Sequence, residues 1–254
     1  MKNLYKKSEL TFAILWILIY TAGMGTLKSQ FGLDSPWQML GLIVLSAAMF
    51  LFVNRNDLME KYGLAGWAKN RGAMLWFIPL WLLSCMNLFS GFSPDYPMPG
   101  LIYAAVSMTL VGFVEELLFR GFLFKALLKN AHVKAAIIIS SITFGLGHIL
   151  NLFTGQALME TLNQVVFAVA AGFVFTFVFY KSGSLWPGIL AHSFIDVSSV
   201  FASDEGSQLL NTILHIVFIV VSVAYCLYLA KRVETPSIHR PDGRKEAASS
   251  PQKP

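Results

Sequence analysis

The stretch GLIYAAVSMTLVGFVEELLFRGFLFKALL, from Gly100 to Leu128, is apolar for long enough to cross a bilayer, yet it carries Glu115, Glu116 and Arg120 near its middle. A hydrocarbon core of about 30 Å takes about 20 helical residues, so the stretch reads as a transmembrane helix. Each ionised group near the bilayer centre costs on the order of 2.5–3.5 kcal/mol on insertion scales, so charges at that depth mark a functional site. Two later segments repeat the pattern. Phe144 to His148 reads FGLGH and His192 to Asp196 reads HSFID, both within otherwise apolar runs. Together the three predict one polar cluster inside an all-α polytopic membrane protein.

Composition supports that class. The chain is 56% hydrophobic and only 13% charged, with a mean hydropathy of +0.61. A soluble domain carries about 25% charged residues, so half of the usual ionic surface is missing. Apolar runs predict about eight transmembrane helices, roughly at 9–27, 36–54, 72–90, 100–128, 134–152, 161–180, 184–202 and 208–230. They divide the chain into an N-terminal three-helix segment (1–99), a core that carries the three polar segments (100–202), a last helix (203–233) and a disordered cytoplasmic tail (234–254) rich in Pro, Ser, Lys and Ala.

Charge sets the expected orientation. Threading eight spans from a cytoplasmic N-terminus places eighteen of the nineteen Lys and Arg residues inside, all but Lys28, as the positive-inside rule requires. Both termini are then cytoplasmic, and short loops suit a bacterial plasma membrane. The net charge of +5 is accounted for by these loops and their attraction to anionic lipids, with no nucleic acid partner. Lys2, Lys6 and Lys7 precede a first apolar run that exceeds the about 7–15 residues of a secretory signal core, so it reads as a retained helix. Cys85 and Cys226 fall within apolar spans without metal-site or disulfide spacing.

Helical periodicity sorts the polar residues. Glu116 and Arg120 stand i,i+4 on one face and predict an ion pair, which leaves Glu115, about a third of a turn away, available for other chemistry. Phe144 with His148 and His192 with Asp196 repeat that spacing, and Asn151 follows His148 by three residues. Counting about 1.5 Å per residue from the cytoplasmic ends places Glu115 and His148 about 21 Å deep and His192 about 16 Å deep. A Glu and a His can hold and deprotonate a water, while a second His with an acidic partner can hydrogen-bond the oxyanion formed when that water attacks a peptide carbonyl. The other route is a metal, Zn2+, with Glu115, His148 and His192 as candidate ligands. No HExxH helix chooses between the two routes.

Glu115-Glu116-xxx-Arg120, Phe144-xxx-His148 and His192-xxx-Asp196, in that order on three apolar segments, resemble the three motifs of the CAAX protease and bacteriocin-processing (CPBP, or Abi) family over about residues 100–200. The resemblance implies an eight-helix intramembrane core, a catalytic core at 100–202 and a glutamate-dependent or metal-dependent endopeptidase. Carried over position by position, Glu115 would be the water-activating base, His148 its partner, and His192 with Asp196 the oxyanion or ligand pair. Glu116, Arg120 and Phe144 would support them. Related proteins often have Asn where this chain has Asp196; Asn donates a hydrogen bond outright, whereas Asp must be protonated to do so, bind metal or orient His192.

Simpler readings cover the other polar and aromatic residues. His215 in a span bonds a neighbouring helix. His132, Glu160, Asp204, Glu205 and His239 are loop or tail residues. The alternation Phe173-Val-Phe-Thr-Phe-Val-Phe179 is packing or lipid contact. Gly145 and Gly147 let a neighbour approach His148, and Gly183, Pro187 and Gly188 allow the seventh segment an irregular start. The expected function is an intramembrane endopeptidase acting on a hydrophobic or lipidated peptide, CAAX-like or bacteriocin- or signal-peptide-like, in contact with membrane lipids. The alternative is a non-catalytic scaffold, immunity or regulatory protein in which the same cluster stabilises packing.

Overall fold

The computed structural model describes residues 1–94, 96–202 and 208–236. Most of the expected tail, with His239, and the loop residues Asp204 and Glu205 lie outside the described residues. In chain order the helices are α1 (Lys2–Lys7), α2 (Glu9–Phe31), α3 (Pro36–Arg55), α4 (Ile78–Ser84), α5 (Gly100–Glu116), α6 (Lys125–Asn130), α7 (Val133–Gly147), α8 (Leu158–Ser182), α9 (Trp186–Phe201) and α10 (Gln208–Arg232). No strand occurs among the described residues, and one isolated bridge joins Phe92 to Ala202. The chain is an all-α polytopic membrane protein.

Local sequence explains the helix starts and stops. The Ser8 hydroxyl accepts the Thr11 N–H and opens α2, while Ser35 accepts the Trp37 N–H ahead of Pro36 and opens α3. Gly183, at φ 70°, closes α8 in the left-handed conformation that glycine adopts without steric cost, and Pro187 stands in the first turn of α9. Between Glu116 and Lys125 the helix widens into a π-helix, Leu117–Phe124, and all eight of its residues are buried. Such wide turns concentrate at functional sites.

Six helices are long and apolar enough to cross a membrane: Glu9–Phe31, Pro36–Arg55, Gly100–Asn130, Val133–Thr154, Leu158–Ser182 and Leu209–Arg232. The third and seventh expected spans are shorter than the hydropathy pattern suggests. The third apolar run yields the broken helix Leu75–Ser90, in which Leu75, Trp76 and Phe77 take φ values of 54°, 52° and 61°. Left-handed L-residues cost roughly 1–2 kcal/mol each and cannot continue a right-handed helix. The seventh is α9, with 16 residues and therefore about 24 Å long.

Helix α5 lies along α9 and α3, α7 lies along α8, α8 packs on α10, and α2 covers the π-helical turn. Two apolar cores result. One holds Phe12, Trp16, Leu117, Phe122 and Phe144; the other holds Phe77, Leu80, Phe175, Ile195 and Phe218. Large apolar side chains such as Leu18, Val44 and Val220 are exposed on the outer faces of α2, α3 and α10, where lipid is their natural solvent.

Candidate active site

The polar cluster forms where α5, the π-helical turn, α7, α8 and α9 meet. Glu116 and Arg120, both without exposure, make the expected i,i+4 pair at 2.8 Å. The second guanidinium nitrogen of Arg120, Nη2, donates to the Gly172 carbonyl of α8 at 3.2 Å. Its guanidinium carbon lies 4.2 Å from the Phe144 ring centre and 5.2 Å from that of Phe175, so the cation is held between carboxylate, carbonyl and two aromatic faces. On α7, Ser140 reaches into the same turn and donates to the Phe119 carbonyl at 2.9 Å.

His192 is the centre of the cluster. Its Nδ1 lies 3.0 Å from Glu116 Oε1; because that oxygen also takes an Arg120 N–H, Glu116 is the acceptor and Nδ1 carries the hydrogen. The other ring nitrogen, Nε2, then faces Asp196 Oδ2 at 3.4 Å and Glu115 Oε2 at 3.6 Å. Phe175 stacks on the imidazole at 5.1 Å and Phe144 meets it edge-on at 5.5 Å. One ring from each apolar core therefore fixes the plane of His192.

Close backbone approach makes this geometry possible. A Cβ at Gly188 would meet Glu116 Oε2 at 2.9 Å, and one at Gly112 would meet the Ser193 backbone nitrogen at 2.6 Å. Glycine at both positions lets α9 lie against α5 and brings His192 onto Glu116.

The structure thus brings Glu115, Glu116, Arg120, Phe144, His192 and Asp196 together. His148 sits at the end of α7, edge-on to Phe144 at 5.7 Å and within electrostatic reach of Glu115 and His192. Asn151 does not join them. From His148 to Thr154 the chain tightens into a 3₁₀ helix, and the Asn151 amide there donates to Gln164 of α8 at 2.8 Å. Gly145 does admit a neighbour, since a Cβ there would meet the Val169 nitrogen at 2.8 Å, whereas Gly147 has open space around it. His215 contacts the Phe167 ring at 6.0 Å and borders a separate cavity of about 190 Å³.

Two residues join the cluster without a signal that periodicity within the three motifs could give. Phe175 lies in the aromatic run read as packing, and it is the ring that stacks on His192. Tyr20 comes from α2, and its hydroxyl donates to Glu115 Oε1 at 2.6 Å. A sequence sign of Tyr20 exists in the i,i+4 series Phe12, Trp16, Tyr20 and Met24, all of which pack at one core.

Among the described residues no group of three or more His, Cys, Asp or Glu side chains is placed to hold a metal ion. Nδ1 of His192 is engaged by Glu116, which leaves Nε2 as the ring nitrogen that faces Glu115 Oε2, at 3.6 Å. As they stand among the described residues, Glu115, His148 and His192 do not form a zinc-holding set.

Residues 97–198 match the model of a protein family described as type II CAAX prenyl endopeptidase, Rce1-like. The match agrees with the motif resemblance and supports a CAAX-type intramembrane endopeptidase at the level of the family. It covers less than half of the chain and leaves out α2 and α10. No curated protein and no solved structure matches the chain.

Proposed function

We propose, with that family match as the premise, that the chain hydrolyses a peptide bond of a membrane-associated substrate using water activated by Glu115. The observation that carries the reading is the division of labour between adjacent carboxylates. Glu116 is neutralised by Arg120 and holds His192 Nδ1, whereas Glu115 presents Oε2 towards Nε2 of the same imidazole. Glu115, assisted by His148, takes a proton from water as the oxygen attacks the scissile carbonyl. His192, with both ring nitrogens protonated, donates Nε2–H to the oxyanion, and Asp196 orients that ring from one helical turn away. The proton held by Glu115 then passes to the departing amine. A hydrophobic or lipidated peptide reaches such a site from within the bilayer, and the bacterial plasma membrane with both termini inside is the setting proposed for it.

The test is cleavage of hydrophobic and lipid-modified peptides by the purified full chain in liposomes, followed by mass spectrometry. Glu115→Gln keeps the size of the side chain and removes the base. It is expected to lower kcat by about 10²- to 10⁴-fold, the usual worth of a positioned general base. Equal cleavage by wild type and Glu115→Gln at equal protein level would return the chain to the scaffold or regulator class.

A further inference from the structure

Tyr20 stands outside the matched segment and outside every motif, yet it makes the shortest hydrogen bond to the carboxylate on which the reaction depends. Its hydroxyl lies 2.6 Å from Glu115 Oε1, within the 2.5–2.7 Å range of about that length typical for O–H···O⁻ bonds. The same carboxylate has its second oxygen, Oε2, turned to His192 Nε2 at 3.6 Å. The two oxygens are therefore inequivalent: one is held by a phenol and the other faces the imidazole. Resting on the endopeptidase reading above, we infer that Tyr20 is a positioning residue that fixes the rotamer of Glu115 and reserves Oε2 for the water.

The placement of Tyr20 is set by α2. Phe12 and Trp16, two turns and one turn earlier, are buried in the core that also holds Leu117, Leu118 and Phe122 of the π-helical turn. Phe12 meets Phe122 edge-on at 5.1 Å. Helical spacing then carries Tyr20 along the same face to the level of Glu115. Glu115 has few other ways to keep one orientation, because Glu116 is engaged with Arg120 and His192 and does not brace it. Helix α2 thus completes a site whose other parts come from α5, the π-helical turn, α7, α8 and α9.

The experiment uses the full chain in nanodiscs, with Tyr20→Phe as the variant because it removes only the hydroxyl. Tyr225→Phe is the control; it deletes a hydroxyl that donates to the Met74 carbonyl at 3.0 Å, away from the cluster. Tyr20→Phe is expected to lower kcat roughly 10- to 100-fold, or ~1.4–2.7 kcal/mol at about 1.36 kcal/mol per decade, with KM and the unfolding midpoint unchanged. Tyr225→Phe is expected to keep wild-type kcat. Infrared difference spectroscopy gives a second readout that needs no turnover: the carboxylate stretch absent in Glu115→Gln is expected to shift in Tyr20→Phe. A kcat within twofold of wild type, or an unshifted band, overturns the inference while leaving the endopeptidase reading intact. Absence of any Glu115-dependent cleavage by wild type fails the endopeptidase reading itself, and the positioning role falls with it, whereas the band still reports whether the bond exists.

Discussion

Replacing Arg120 by Met tests whether the buried ion pair holds the site together. Met keeps the length and apolar bulk of the side chain but removes the charge. The change deletes the 2.8 Å bond to Glu116 and the 3.2 Å bond to the Gly172 carbonyl, together with the stacking of the cation on Phe144 and Phe175. Both members of the pair have no exposure, so Glu116 keeps a charge that water cannot reach and retains one protein partner, His192 Nδ1. Breaking a buried pair by removing one member costs about 3–5 kcal/mol. A domain is stabilised by only about 5–15 kcal/mol, so the loss is a large share of the total. The double variant Glu116→Gln with Arg120→Met carries no stranded charge, and replacing both members of a buried pair is often neutral or stabilising. It is therefore expected to recover at least about 2 kcal/mol relative to Arg120→Met alone, a coupling that additivity forbids. Reversible unfolding in mixed detergent micelles, followed by circular dichroism, measures both quantities. An Arg120→Met midpoint equal to that of wild type, or a double variant less stable than the single, refutes the argument.

Two further outcomes follow from glycine packing and from the donor set. Gly112→Ala places a methyl group 2.6 Å from the Ser193 backbone nitrogen, so overpacking is expected to cost about 1–3 kcal/mol and to lower activity by moving α9. Gly147→Ala, with open space around it, is expected to gain up to about 1 kcal/mol from helix propensity. Thermal unfolding of the two variants side by side decides the point; equal effects would sink the close-approach account. Since no group of three metal-ligating side chains is arranged among the described residues, 1,10-phenanthroline is expected to leave cleavage at its untreated rate. Inhibition that zinc reverses would show that Glu115, His148 and His192 rearrange to hold the ion.

The sequence by itself determined what local geometry can determine. Apolar runs of spanning length fixed an all-α membrane class, because a bilayer tolerates only backbones that satisfy their own hydrogen bonds. The i,i+4 pairs Glu116 with Arg120 and His192 with Asp196 were legible because helical periodicity places such side chains on one face whatever the helix packs against. The break in the third run was not legible, since hydropathy counts apolar residues and is blind to the left-handed turn at Leu75, Trp76 and Phe77. The turn of Asn151 towards Gln164 was not legible either, because its partner comes from another helix.

What passes between helices was decided by tertiary structure alone. The grip of Glu116 on His192, the hold of Tyr20 on Glu115 and the stacking of Phe175 on His192 each join residues 17 to 95 positions apart. They depend on how far each helix is rotated and how closely it approaches its neighbour. Those quantities are set by glycines such as Gly112 and Gly188 and by the widened turn after Glu116. The sequence, by helical spacing, decided which carboxylate is neutralised; helix packing brought His192 between the two, Nδ1 to Glu116 and Nε2 towards Glu115.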